Sequence, residues 1–277
     1  MTPIPRLSLV LPVHEGEAFI AASIRTVLDH FSSLDGQFEL LVVTDGCRDA
    51  TAERARSVLD PRVHVIEYPV NQGKGHAILA GAAQARGRFI GWLDADMDIH
   101  PEAITRALER FTASPELDAV IGSKRHRDSV VDYPVPRRFT SWGFQMLVRM
   151  LLRINVRDTQ VGAKLFRREV LDTIAPLLLV KRYAFDLEVL AVGAQFGFDR
   201  IEEAPIRLDY QFSGTGINRD AVWRMFVDTL AIAYRIHIRH WYVRQFAARE
   251  RQRMDAAAQL GDLTPSGAPP AHDHARA

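Results

Sequence analysis

Short apolar runs alternate with amphipathic stretches along the first half of the chain. Leu7–Leu11 is apolar apart from Ser8 and is closed by Pro12, which predicts a first strand. Glu17–Phe31 sets Phe19, Ile20, Ile24, Val27, Leu28 and Phe31 at helical spacing. Phe38–Val43 predicts a second buried strand, followed by turn-rich Thr44–Asp49. Thr51–Leu59 reads as a helix and Val63–Tyr68 as a third strand. Asn71-Gln72-Gly73-Lys74-Gly75 opens a helix over His76–Ala85, and Phe89–Leu93 is the fourth strand. Pro101 begins the next helix at a favourable first-turn position, and Ala119–Gly122 is a fifth strand. This alternation predicts an α/β protein, a mostly parallel sheet flanked by helices. Strand order then brings Pro12, Thr44, Tyr68 and Asp94 to one sheet edge, where open α/β sheets bind ligands.

The pattern changes after Ser123. Arg137–Arg157 mixes long apolar residues with five arginines. Phe185–Phe196 predicts another helix and Phe198–Leu208 another strand. Ala221–Arg253 predicts one or two amphipathic helices rich in aromatic residues, Arg and His. The divisions expected are a main domain over 1–215, interfacial helices over 216–253 and a disordered tail over 254–277.

Composition narrows the class. A hydrophobic content of 47% is ample for a core, and a formal net charge of +1 gives no sign of nucleic-acid binding. The single cysteine, Cys47, excludes an internal disulfide and fits a reducing compartment. The N-terminus lacks the apolar segment of a signal peptide, and no apolar run reaches the roughly 18 residues of a spanning helix.

The candidate chemistry starts where the fourth strand meets Asp94-Ala95-Asp96-Met97-Asp98. On an extended backbone, residues two apart project to one side, so Asp94, Asp96 and Asp98 are expected to converge. Clustered carboxylates repel unless a cation sits between them, and oxygen-only ligands suit Mg²⁺ or Mn²⁺. A solvated acidic turn is the plain alternative. A calcium loop is excluded, because its sixth and twelfth positions hold Ile99 and Thr105 instead of Gly and Glu. The Gly73-Lys74-Gly75 helix start offers backbone N–H groups and a cation to a phosphate, although glycines at a helix start also serve simply as a turn. The dinucleotide fingerprint, the P-loop, the zinc-protease helix and the serine nucleophile elbow are all missing. Asp186 and Glu188 are two apart on a helix and point in different directions, so one of them at most faces a common site. Either can equally be a capping or salt-bridged acid.

Taken in order, several motifs resemble the family-2 inverting glycosyltransferases of GT-A (Rossmann-like) fold, and within them the dolichyl- or polyprenyl-phosphate sugar synthases. They are Pro12-Val13-His14-Glu15-Gly16-Glu17, Val43–Thr51, Asn71–Gly75, Asp94-Ala95-Asp96, Gly122–Arg125, Asp158–Lys164 and Phe185-Asp186-Leu187-Glu188. The resemblance implies that Pro12 and Val13 contact the base by main chain and that Asp45, with Thr44 beside it, binds base or ribose. Lys74 lies near the nucleotide, and Asp94 and Asp96, with Asp98 as a further ligand, hold the metal on the diphosphate. Where relatives carry Tyr-Asn this chain has His14-Glu15, so Glu15 or Glu17 takes the acidic contact. Lys124, Arg125 and Lys164 are the candidate clamp for an acceptor phosphate, and Asp186 or Glu188 is the catalytic carboxylate. A phosphate acceptor is already anionic near neutral pH and needs positioning cations more than a base.

The implied reaction moves a hexose from UDP-glucose, or secondly mannose from GDP-mannose, to a polyprenyl phosphate. A soluble enzyme acting on a saccharide hydroxyl and a silent membrane-docking scaffold are the alternatives. The partners expected are therefore a nucleotide-sugar, a lipid phosphate and a membrane surface, with no nucleic acid. The implied location is cytoplasmic, peripheral at the cytoplasmic face of the membrane. The Arg- and aromatic-rich helices would lie in the lipid interface, or else form core or a homodimer contact.

Overall fold

Strands buried on both faces need nearly continuous apolar runs. All seven residues of β1 (Leu7–Val13) are buried, and so are all eight of β2 (Phe38–Asp45). Between them runs α1 (Ile20–His30). The order continues α2 (Thr51–Arg56), β3 (Val63–Tyr68), α3 (Lys74–Gln84), β4 (Phe89–Trp92), α4 (Glu102–Ala113), β5 (Ala119–Ser123) and β6 (Val130–Val131). A helical segment over residues 146–152 is α5. Then follow β7 (Lys164–Arg167), α6 (Arg168–Ile174), α7 (Phe185–Gln195), β8 (Ile201–Pro205), β9 (Arg207–Leu208), α8 (Arg219–His237) and α9 (Trp241–Asp262). This computed structural model describes residues 4–34, 37–131, 146–152, 154, 156–208 and 219–262.

Seven strands form one sheet in the order β3-β2-β1-β4-β7-β5-β8. The pairs β3-β2, β2-β1, β1-β4 and β5-β8 are parallel. The α/β architecture with a mostly parallel sheet is therefore as expected. The short strand β7 was not foreseen. It runs antiparallel to both neighbours and separates β4 from β5. Strand order reverses at β1, with β2 and β3 on one side and β4 on the other. That reversal leaves a crevice beyond the carboxyl ends of β1 and β4.

Side chains alternate across the sheet. Leu7, Leu9, Leu11 and Val13 face the side covered by α1 and α4, with Ile24, Val27, Ile104 and Phe111. Val10, Val43, Ile90 and Trp92 face the other side, with Ile78 of α3, Leu187 of α7 and Ile232 of α8. Full burial of one such side chain contributes about 1.5–3 kcal/mol.

Two features of the C-terminal helices were not given by the sequence. Ile232, Ala233, Ile236 and Tyr242 are buried in the same core as Trp92, so one face of α8 and the start of α9 pack on the sheet domain, as in the core alternative for these helices. The helix α9 continues to Asp262, past residue 253 where the tail was expected, and 263–277 lie outside the described residues. Only residues 146–152, 154 and 156–157 of the Arg137–Arg157 stretch are described. Near the sheet edge, Phe198–Leu208 divides into two short strands, because β8 ends at Pro205, which has no N–H for a ladder.

Candidate active site

A cavity of about 410 Å³ opens at the crevice. Its walls include Pro12, Val13 and His14 from the end of β1, Asp45 from the end of β2, and Lys74 from the start of α3. Asp186 closes it from α7, with Arg182 and Tyr183 beside it. Each expected strand end on this list arrives because parallel strands deliver their carboxyl ends to one edge.

Asp45 is buried, and its carboxylate accepts the backbone N–H of Gln72 at 2.7 Å and of Gly73 at 2.8 Å. It therefore shapes the loop leading into α3 as well as lining the cavity. Gly73 has φ +98°, a conformation that favours glycine. The His14 ring donates from Nδ1 to the Asp45 carbonyl at 2.9 Å, which fixes that proton and leaves Nε2 as the other ring nitrogen.

Thr44 does not reach the cavity. It is fully buried and its hydroxyl donates to the Ile66 carbonyl of β3 at 3.4 Å, which corrects its expected nucleotide contact. Neither glutamate after His14 lines the cavity. Glu17 accepts the Ala50 N–H at 2.9 Å and so serves the start of α2. Glu15 is exposed, in a left-handed backbone conformation at φ 52°, with its N–H donated to the Cys47 Sγ at 3.3 Å.

The acidic stretch is a turn, not an extended strand. β4 ends at Trp92, the Met97 N–H donates to the Asp94 carbonyl at 3.3 Å, and Met97 has φ 58°. The two-residue alternation expected of Asp94, Asp96 and Asp98 therefore fails. Among the described residues no group of three or more His, Cys, Asp or Glu side chains is arranged to hold a metal, so Asp94, Asp96 and Asp98 do not form a three-carboxylate cluster here. The Asp98 N–H instead donates to Asp96 Oδ1 at 3.2 Å.

Asp94 and Asp96 still form a charged pair. Neither is among the residues lining the cavity; Asp96 is solvent-exposed, yet its carboxyl is pushed up to about 6 by partial desolvation, with the charges of Asp94 and Asp98 adding to the rise. Lys74 Nζ contacts Asp94 Oδ1. Desolvation works against the Lys74 charge, but Asp94, Asp186 and Asp96 outweigh it and raise its pKa. The Lys74 ammonium therefore occupies a position where positive charge is favoured. Two carboxylates plus phosphate oxygens are a usual ligand set for Mg²⁺, so the pair fits a divalent ion shared with a diphosphate.

Gly162 shows why the Asp158–Lys164 motif lies here. A Cβ on Gly162 would fall 1.8 Å from Asp94 Oδ2, so the glycine is what lets the carboxylate pack against this segment. Two residues on, Lys164 is fully buried on β7 and paired with Asp186 Oδ1 at 2.8 Å. Its Nζ also donates to the Val161 carbonyl at 2.5 Å. Lys164 is thus the counter-ion of Asp186 and is not placed as an acceptor clamp. Lys124 and Arg125 follow the end of β5 and do not line the cavity. Their backbone N–H groups donate to Asp158 Oδ2 at 3.1 Å and to Ser123 Oγ at 3.3 Å.

The α7 carboxylates separate as helical geometry requires. Asp186 lines the cavity, whereas Glu188 is fully buried and does not, which corrects Glu188 as a catalytic candidate. Asn71, Gln160, Arg182 and Tyr183 line the cavity without having been singled out. Asn71 and Gln160 sit inside motifs already noted. Arg182 and Tyr183 carried only their closeness to Asp186 as a signal.

Comparisons with known proteins identify the family and agree with the fold. The family described as "Glycosyl transferase family 2" matches residues 8–175. A dolichyl-phosphate beta-glucosyltransferase of Trichomonas vaginalis is 28% identical over 86% of the chain and 76% of its own length. An undecaprenyl-phosphate mannosyltransferase of Micrococcus luteus is 32% identical over 61% of the chain and 70% of its own length. Against several other dolichyl-phosphate beta-glucosyltransferases the chain spans 63% to 65% of their length. Among solved structures, glucosyl-3-phosphoglycerate synthase of Mycobacterium tuberculosis has a TM-score of 0.62 at 20% identity, covering 83% of this chain and 79% of that one. That structure holds Mn²⁺, uridine diphosphate and glucosyl-3-phosphoglycerate.

Proposed function

Because the chain belongs to glycosyltransferase family 2, we propose that its cavity binds a nucleotide-sugar and that the enzyme transfers the hexose to a polyprenyl phosphate. Glucose from UDP-glucose is the donor favoured by the relatives named dolichyl-phosphate beta-glucosyltransferase. Mannose from GDP-mannose is the second reading, favoured by the bacterial mannosyltransferase. The observation that carries the proposal is the convergence of Lys74, Asp94 and Asp186 at the mouth of β1 and β4.

In this reading Pro12, Val13 and His14 meet the nucleoside, and Asp45 holds the loop that presents Lys74. Asp94 and Asp96 would hold Mg²⁺ or Mn²⁺. When bound, that ion would neutralise charge on the leaving diphosphate. Lys74 adds a second positive charge at the same place. An acceptor phosphate supplies its own anionic oxygen, so Asp186 need not act as a base towards it. Asp186 at the cavity wall also suits a base for a hydroxyl acceptor, which is the observation favouring a saccharide substrate instead. With Lys164 committed to Asp186, the cations lining the cavity are Lys74 and Arg182, and Arg182 is the candidate for an acceptor phosphate.

A lipid acceptor calls for a way to meet a membrane. No helix among the described residues is long and apolar enough to cross one. One face of α8 exposes Trp223, Val227, Leu230 and Tyr234 at helical spacing, with Ile238 exposed just past its end, while Ile232 and Ile236 are buried on the other. On α5, Met146 and Met150 are exposed, and His237 Nε2 bonds to the Leu151 carbonyl at 2.7 Å, joining the two helices. Such a stripe suits shallow insertion among headgroups.

The test is transfer of labelled hexose from UDP-glucose and GDP-mannose to a polyprenyl phosphate in the presence of Mn²⁺. A lipid-linked product is expected. Transfer only to saccharide hydroxyls, with loss of rate in Asp186→Asn, would replace the lipid-acceptor reading.

A further inference from the structure

Glu188 is a fully buried acid that the chemistry above leaves unused. Its two oxygens face different parts of the molecule. Oε2 accepts the backbone N–H groups of Leu179 at 2.9 Å and Val180 at 2.7 Å. Oε1 accepts the hydroxyl of Tyr242, on α9, at 2.6 Å, and Arg235 Nη1, on α8, lies 3.7 Å away. Burying an ionisable group in this way is a poor route to stability alone, since apolar packing of similar volume serves as well.

The segment that Glu188 holds is a wall of the cavity. Arg182 and Tyr183 line it directly. The Lys181 carbonyl accepts the N–H of Gly75 at 2.9 Å, in the first turn of α3, and Lys181 Nζ reaches Gln72 Oε1 at 3.4 Å. Lys74, between these points, is the residue that contacts Asp94. One chain of contacts therefore runs from α8 and α9 through Glu188 to residues 179–183, and from there to the start of α3.

We propose that Glu188 is a positioning residue that clamps the 179–183 wall to the C-terminal helices, so that its polar contacts with Tyr242 and Arg235 set the affinity of the cavity for a nucleotide-sugar. The ligand in this statement rests on the function proposed above, whereas the clamp itself does not.

The test uses the full chain carrying Tyr242→Phe, which removes the hydroxyl and keeps the ring. Ile236→Val is the control, because it trims the same helical packing without touching the polar contacts. Amide exchange at 179–183 and at 73–75 should speed up by about tenfold in Tyr242→Phe, the effect of losing roughly one buried hydrogen bond. In Ile236→Val it should stay at the wild-type rate. The Kd for UDP-glucose with Mn²⁺, or for GDP-mannose if the wild type prefers it, should rise several-fold only in Tyr242→Phe. Unchanged exchange at 73–75, or equal effects in both variants, would overturn the clamp. Faster exchange with an unchanged Kd would overturn its link to affinity. If the wild type binds neither nucleotide-sugar, the proposed function fails and so does the affinity link, while the exchange rates still decide the clamp.

Discussion

Replacing Lys164 with Met would leave Asp186 buried without its partner. The pair is 2.8 Å apart, with side-chain exposures of 0% and 10%. At an effective dielectric of about 20, two unit charges at that distance attract by about 6 kcal/mol. Desolvation of both ions takes back much of this, but removing one partner of a buried pair still costs about 3–5 kcal/mol. Lys74 is a second cation acting on Asp186, which puts the expectation near the lower end, about 3 kcal/mol. At roughly 2–4 °C per kcal/mol for a domain of this size, Tm should fall by about 6–12 °C. The assay is thermal and urea unfolding of Lys164→Met, Asp186→Asn and the double variant. The double variant should recover most of the loss, because the unpaired charge is gone, giving a coupling above about 1 kcal/mol. A Lys164→Met protein within about 0.5 kcal/mol of wild type, with only its KM for the acceptor raised, would refute the counter-ion argument. It would return Lys164 to the acceptor site.

Three further outcomes are expected. The raised pKa of Asp96 favours its protonated form in the folded state, so its contribution to stability is full below 3.8 and lost as pH rises through about 6. Mn²⁺ needs the carboxylate, so the rise in Tm on adding Mn²⁺ should be large at pH 7.5, shrink as pH falls through about 6, and vanish in Asp96→Asn; an equal shift at pH 5 would contradict this. Gly162→Ala should weaken Mn²⁺ and nucleotide binding at least tenfold by displacing Asp94, since its Cβ would lie 1.8 Å from Oδ2; isothermal titration reads the loss, and wild-type affinity would show that Asp94 is not the ligand. Changing Trp223, Leu230 and Tyr234 together to Ser should abolish flotation with anionic vesicles while shifting stability by about 0.5 kcal/mol or less per site, as these side chains are 65%, 42% and 53% exposed; undiminished flotation would remove α8 as the docking face.

The alternation of buried strands and amphipathic helices is a local property, written at periods of 2 and 3.6 residues, and it was legible from Leu7 to Ser123. Parallel crossovers deliver strand ends to one edge, and Pro12, Val13, His14, Asp45 and Lys74 line one cavity there, whereas Thr44, Tyr68 and Asp94, expected at the same edge, are not among its lining residues. Helical spacing also implied that Asp186 and Glu188 diverge, though it could not say which of them faces the cavity. What the chain alone did not reveal depends on contacts between distant segments. Lys164 reads as an ordinary cation until β7 inserts between β4 and β5 and turns it onto Asp186. Glu188 meets Tyr242 and Arg235, residues far along the sequence, only once α8 and α9 fold back. The carboxylates of Asp94, Asp96 and Asp98 alternate in sequence, but a left-handed Met97 bends the backbone and removes the common side. Periodicity fixes which face a residue takes on its own element. The neighbours across that face, and hence its charge state and access to substrate, are settled by how the elements pack.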